Sequence, residues 1–118
     1  MQQMSMTNYN LFQATENPLV IYNRQPILDI GFEFFYEDCD GVEVDFDFPN
    51  YSSSFVRFYN ERLGRLIKTF IPTLSGNVLV LNTTDTTFED NGNYYYEVGY
   101  VQSGGYEIVL RYGILEVK

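Results

Sequence analysis

The sequence has no histidine, no tryptophan and a single cysteine, Cys39, and its seven lysines and arginines stand against sixteen aspartates and glutamates in 118 residues. Each shortage excludes something. Without histidine there is no Ser-His or Cys-His nucleophile pair, and the commonest zinc ligand is missing. One cysteine cannot form an intramolecular disulfide, so cysteine usage does not argue for an oxidising compartment. Seven scattered cations in a chain of formal charge −9 cannot form the Lys/Arg clusters that displace counterions from a phosphate backbone, so no nucleic-acid partner is expected. No run approaches the roughly 18 apolar residues of a bilayer-crossing helix, so no membrane partner is expected either. Met1 to Gln13 contains three methionines but no cationic region and no continuous apolar block, which does not read as a secretion signal. Synthesis in the cytosol is the expectation.

What the chain does have is aromatic bulk. Eleven tyrosines and ten phenylalanines in a composition that is 45% hydrophobic can build one core without a metal or a disulfide. Helical periodicity is nearly absent, whereas period-two alternation recurs from Ile27 onward, with turn residues about every ten positions. Leu28, Ile30, Phe32, Phe34 and Tyr36 share one face, opposite Asp29, Gly31, Glu33, Phe35 and Glu37. Asp38-Cys39-Asp40-Gly41 then predicts a hairpin turn into Val42, Val44, Phe46 and Phe48, opposite Glu43, Asp45 and Asp47. Pro49-Asn50 ends that pair. Strands follow over Phe55 to Tyr59, Arg65 to Phe70 and Val78 to Leu81, separated by Asn60 to Gly64, Pro72 and Ser75-Gly76-Asn77. Tyr94, Tyr96, Val98 and Tyr100 alternate with Tyr95, Glu97, Gly99 and Val101, and Ser103-Gly104-Gly105 turns the chain into Tyr106, Ile108, Leu110 and Tyr112. Gly113 permits a bend that could carry the closing segment, Ile114 to Val117, to another sheet. The class is all-β, with about seven strands in roughly 90 residues, the size of a small sandwich.

Asp90-Asn91-Gly92-Asn93-Tyr94-Tyr95-Tyr96 resembles the D-x-G-x-Y segment of immunoglobulin-like domains, in which a loop enters a late strand and a buried tyrosine bonds back to upstream backbone. The resemblance makes Asp90, Gly92 and Tyr94 a structural corner. The cysteine of the immunoglobulin pattern is replaced by Tyr96, so a pin between sheets would be aromatic. A wider series resembles the immunoglobulin-like domain at the N-terminus of tailed-bacteriophage baseplate upper proteins and related small capsid or tail decoration proteins. It runs through Phe48-Pro49-Asn50-Tyr51, Phe55-Val56-Arg57, Leu74-Ser75-Gly76, Thr83-Thr84-Asp85-Thr86-Thr87, Gly92-Asn93-Tyr94-Tyr95-Tyr96-Glu97-Val98, Gly104-Gly105 and Gly113-Ile114-Leu115-Glu116-Val117. It covers about residues 27–118. It implies an immunoglobulin-like antiparallel β-sandwich over 27–118, preceded by an N-terminal arm or edge segment at 1–26. It also implies a non-enzymatic virion subunit, made in the bacterial host cytoplasm and bound to the major capsid protein or to tail or baseplate proteins, in several copies or as a homo-oligomer. More chain follows in multidomain relatives, whereas this sequence stops at Lys118, which fits a free-standing subunit.

Several residue sets suggest chemistry. Asp38-x-Asp40-Gly41 imitates the start of a calcium loop, but its ninth and twelfth positions fall on Phe46 and Pro49, which supply no carboxylate. Glu37, Asp38, Asp40, Glu43, Asp45 and Asp47 are therefore read as a charged outer face that discourages edge pairing. Asp45 and Asp47 could in principle cleave glycosides, yet alternate positions on an exposed strand offer no apolar pocket to raise one pKa. No catalytic residue, metal or cofactor is expected. Phe35 and Tyr95, with Phe55 or Tyr59, fall out of phase with the core set, and a cluster of exposed aromatics marks a contact surface. Subunit contact and sugar stacking both use such surfaces, the second making the chain a carbohydrate-binding adhesin module. If both sheet faces were covered, the same residues would be core. In Met1 to Pro26, Tyr9, Leu11 and Phe12 are candidate interface residues of an arm laid on a neighbouring subunit, the alternative being a frayed tail with an edge strand at Leu19 to Tyr22.

Overall fold

A computed structural model describes residues 15–118, which form eleven strands and no helix. In chain order these are β1 (Thr15–Glu16), β2 (Leu19–Ile21), β3 (Leu28–Glu33), β4 (Phe35–Glu37), β5 (Glu43–Asp45), β6 (Tyr51–Tyr59), β7 (Leu66–Phe70), β8 (Thr73–Ser75), β9 (Val78–Thr83), β10 (Gly92–Gln102) and β11 (Glu107–Val117). A six-stranded sheet has the order β1-β11-β10-β6-β7, with β2 also on β11; a three-stranded sheet has the order β3-β9-β8; β4 and β5 form a separate hairpin. Buried residues of both larger sheets, among them Leu28, Phe32, Leu79, Val56, Phe58, Tyr96, Val98, Leu115 and Val117, belong to one core cluster.

The strand count exceeds the expected seven for identifiable reasons. The alternation from Leu28 to Tyr36 is continuous, and all its in-phase members are buried or half-buried, but it does not make one strand. Phe34 interrupts it by bonding sideways: its N–H donates to the Asn77 carbonyl (3.0 Å), and its carbonyl accepts from Asn77 Nδ2 (2.8 Å) and from the Phe46 N–H (3.0 Å). β3 thus pairs with β9 while β4 pairs with β5. The predicted hairpin is confined to β4 and β5. β8 lies within what reads as breaker sequence and pairs with β9 across the two-residue Gly76-Asn77 turn.

The ladders are not all antiparallel. β1 and β2 run parallel to β11, in the registers Thr15↔Arg111 and Leu19↔Leu115. Of the alternatives for the N-terminal region, the edge strand is present at Leu19–Ile21, where Ile21 belongs to the core. It is preceded by β1, and Tyr22 is exposed beyond its end. Tyr9, Leu11 and Phe12 lie outside the described residues.

Gly113 does not carry the chain to another sheet. β11 continues through it to Val117, and Gly113 pairs with Tyr96. Its missing side chain serves the N-terminal crossing instead, because a Cβ there would lie 2.3 Å from the Asn17 carbonyl oxygen. That carbonyl accepts the Tyr96 hydroxyl at 2.6 Å, and the Asn17 N–H donates to the Tyr112 carbonyl at 2.9 Å.

The ladder between β10 and β11 shifts by one residue at Val98/Gly99, where Arg111 opposes Val98 and Val109 opposes Gly99, leaving Leu110 as the bulged residue. Gly99 permits the crowding: a Cβ on it would sit 2.1 Å from the Ile108 carbonyl oxygen and 2.7 Å from Phe55 Cζ. Before the bulge, Ile108 faces inward opposite Tyr100. After it, the inward positions are Arg111, Gly113, Leu115 and Val117, and Tyr112 and Ile114 turn outward.

Gly113→Ala forces a β-carbon against backbone that cannot rotate away. It should cost about 1–3 kcal/mol in urea unfolding, the usual range for overpacking a tight site. An unchanged midpoint would contradict this account of how β1 and β2 reach the sheet.

Candidate interaction surface

The six-stranded sheet has one face in the core and one turned away from it. Cross-strand register places Leu66 opposite Tyr59, Tyr59 opposite Tyr95, and Tyr95 opposite Ile114, forming an apolar row across β7, β6, β10 and β11. Opposed residues share a face, so the row follows from pairing. The Tyr59 and Tyr95 ring centroids are 6.1 Å apart at 52°, and Tyr95 and Tyr112 are 6.3 Å apart at 44°. Leu66 and Ile114 are exposed, and the three tyrosines are half-buried.

A polar row runs beside it. The Tyr59 hydroxyl donates to Glu97 Oε1 at 3.0 Å. Arg57 makes a two-pronged pair with Glu107, at 3.0 Å and 2.5 Å, while its guanidinium carbon lies 3.9 Å from the centroid of the Phe55 ring. Phe55 is thereby buried, at 3% exposure, although it is out of phase with the core. It lies across Gly99 beneath Arg57, so it is a covered floor and not a contact residue.

Ionisation follows these contacts. The hydrogen bond to Glu107 raises the Arg57 pKa above its usual value against partial burial, and the same bond lowers that of Glu107. Burial raises the Tyr59 and Tyr95 phenols, with Glu97 adding to both. All four groups thus keep their ordinary neutral-pH forms: Arg57 and Glu107 are charged and paired with each other, and Tyr59 and Tyr95 are neutral phenols. Because the Glu107 side chain is about half exposed and that of Arg57 is not fully enclosed, solvent screens the pair, which is worth about 1 kcal/mol or less to stability.

Phe35 does not join this surface. It is 47% exposed on β4, opposite Asp45, in the separate hairpin. The six acids of that hairpin region are exposed apart from half-buried Asp38, whose Oδ1 accepts the Asp40 and Val42 N–H groups, both at 2.9 Å. Among the described residues no group of three or more His, Cys, Asp or Glu side chains is arranged to hold a metal ion. Cys39 is an exposed free thiol.

In the corner segment, the Tyr94 hydroxyl donates to the Asp90 carbonyl at 2.5 Å, and the Tyr94 ring packs 4.9 Å from that of Phe88. Tyr94 is half-buried, not fully buried as the sequence implies. Within this segment the fully buried tyrosine is Tyr96, which stacks on Phe32 of the opposite sheet at 6.5 Å and 28°. Arg111 Nε donates to the Tyr96 hydroxyl at 3.1 Å, and its guanidinium lies 5.6 Å from the Phe32 ring centroid. Burial raises the Tyr96 phenol pKa, opposed by Arg111.

On this face the structure adds Leu66, Tyr112 and Ile114 to Tyr59 and Tyr95; of the other residues expected from alternation, Phe35 is exposed but on the separate hairpin, and Phe55 is buried. A scan of protein-family models and searches of curated proteins and of solved structures find no match to this chain.

Tyr94→Phe leaves the Asp90 carbonyl without its donor at a site partly open to water. It should lower stability by about 1 kcal/mol in thermal or urea unfolding. Unchanged stability would show that the bond does not hold the loop.

Proposed function

We propose that this chain is an immunoglobulin-like sandwich serving as a non-enzymatic structural subunit of a tailed-phage particle, docked onto a neighbouring virion protein through the outer face of its six-stranded sheet. The observation that carries the docking surface is the row Leu66, Tyr59, Tyr95 and Ile114, which crosses four paired strands with aliphatic exposure at both ends. Protein interfaces are enriched in aromatic residues set within a polar rim, and Arg57, Glu97 and Glu107 supply such a rim. The immunoglobulin-like assignment draws on strand order: β3-β9-β8 against β11-β10-β6-β7 corresponds to B-E-D against G-F-C-C′. Phe32 and Tyr96 stack where antibody domains place the disulfide between strands B and F. The phage assignment draws on the ordered series of sequence motifs.

The test is competition for particles that lack this subunit. Leu66→Ser, Tyr95→Ser and Ile114→Ser combined should remain folded by circular dichroism and lose occupancy at least about tenfold, since each large apolar group is worth roughly 2 kcal/mol when fully buried. Occupancy equal to wild type would reject the face, and failure of the wild-type chain to bind any such particle would reject the virion role. A second reading, a glycan-binding module, is favoured by Tyr95 lying tilted between Tyr59 and Tyr112, beside Glu97 and Arg57. Glycan-array binding abolished by Tyr95→Ala, with particle occupancy intact, would select it.

A role for the N-terminal segment is tested by removing Met1 to Gln13. The cut stops short of Asn17, whose carbonyl holds Tyr96, so the sheet should remain folded. Incorporation should fall if Tyr9, Leu11 and Phe12 bury apolar area in the particle. Equal occupancy would show that they do not.

A further inference from the structure

Charge is segregated along the molecule. Between Arg24 and Arg57 there is no lysine or arginine, while eight of the sixteen carboxylates lie there. Of these, Glu33, Glu37, Glu43, Asp45 and Asp47 are exposed on and beside the β4–β5 hairpin around Phe35. The counter-charge lies at the other end of β6. That nine-residue strand starts beside the hairpin base, spans roughly 27 Å, and ends at the Asn60–Arg65 turn. There Arg62 and Arg65 flank Leu63, and among the described residues neither arginine is in an ion pair.

The turn is not a frayed loop. The Asn60 N–H donates to the Arg65 carbonyl at 3.0 Å, Asn60 Oδ1 accepts the Arg65 N–H at 2.7 Å, and the Gly64 N–H donates to the Glu61 carbonyl at 2.9 Å. This frame holds Leu63 at 98% exposure with φ of 60°, a conformation unfavourable for leucine. One end of the molecule therefore presents an exposed aliphatic side chain on a turn that also carries two exposed arginines, Arg62 and Arg65. The other presents an aromatic ring among five carboxylates.

We propose that copies of this chain associate head to tail, the Arg62-Leu63-Gly64-Arg65 turn of one copy seating on the Phe35 face of the acidic hairpin of the next. The two patches differ and lie at opposite ends, so the contact is heterologous and leaves one of each free to continue a row or close a ring. The net charge of −9 does not prevent it. At about 0.15 M salt the screening length is roughly 8 Å, short against the 45 Å long axis, so the surfaces in contact set the sign of the interaction. The proposal does not rest on the sheet face proposed above, although the tip adjoins it: Arg65 precedes Leu66 in the chain, and the Arg62 charge acts on Tyr95.

The experiment is sedimentation of the purified full chain at about 0.15 M and about 1 M salt, up to about 1 mM protein, where weak interfaces populate. The wild type should associate with increasing concentration, at least about tenfold less tightly at the higher salt. Arg62→Glu with Arg65→Glu should be monomeric. So should Glu33→Lys, Glu37→Lys, Glu43→Lys and Asp45→Lys together, which leave one carboxylate among four ammonium groups on the hairpin face. Mixing these two variants should restore association, because each tip then meets an oppositely charged hairpin. Glutamine at the same positions substitutes for any variant that does not fold. A wild type monomeric at every concentration, variants that associate like it, or a mixture that stays monomeric would overturn the proposal. So would saturable binding of the wild-type tip to phosphatidylglycerol vesicles without self-association.

Discussion

The contact between Gly99 and the carbonyl of Ile108 governs much of this molecule. No residue with a side chain fits there, since a Cβ would come within 2.1 Å of that oxygen. The accommodation is a one-residue bulge that turns Leu110 into the core and reverses the phase of everything after it on β11. Arg111 then points inward to the Tyr96 hydroxyl, Leu115 and Val117 join the core, and Tyr112 and Ile114 reach the outer face. The same glycine gives Phe55 a place to lie flat, and Arg57 covers it. The inner pin and the proposed docking row thus share one backbone cause.

The pin fastens more than two sheets. Tyr96 packs on Phe32 across the core, donates to the Asn17 carbonyl and accepts from Arg111. Its hydroxyl is satisfied in both directions, which a buried phenol requires. Loop tethers repeat this logic at the periphery. Asn23 Oδ1 accepts the Phe88 N–H and its Nδ2 donates to the Phe88 carbonyl, the Thr86 hydroxyl donates to the Gln25 carbonyl, and Lys68 pairs with Asp85. Aromatic packing at the hairpin base, with Phe46 and Phe48 at 4.9 Å and Phe48 and Tyr100 at 5.1 Å, does the same for the acidic hairpin. In a chain with one cysteine, such contacts take the place of disulfides.

The all-β class and most strand positions were legible because period-two alternation is a local signal. Leu28 to Tyr36 alternates correctly in burial even where it changes partner. That change was not legible, because it depends on Asn77, 43 residues away. The outward position of Tyr112 is not legible for a similar reason: the alternation Tyr106, Ile108, Leu110, Tyr112 runs past a bulge set by a glycine on the partner strand. Out-of-phase residues were visible singly, but not which of them converge. Register brings Tyr59 to Tyr95, takes Phe35 away to another hairpin, and adds Leu66 and Ile114. The parallel pairing of β1 and β2 left no local mark beyond Gly113, whose use emerges only once Asn17 is seen against it.

If the outer face is a docking surface, its apolar row is exposed in the free chain and covered in the assembly, while the paired Arg57 and Glu107 form part of the rim. In the proposed head-to-tail association the acidic and cationic ends would set how copies stand relative to one another. The most direct test of the proposed virion role is an electron-microscopy map of a purified phage particle carrying this chain's gene, at a resolution that traces strands. The account predicts density for this chain with Tyr95, Tyr112 and Ile114 packed against a neighbouring virion protein. A chain absent from head and tail alike, or present with that sheet face open to solvent, would contradict it.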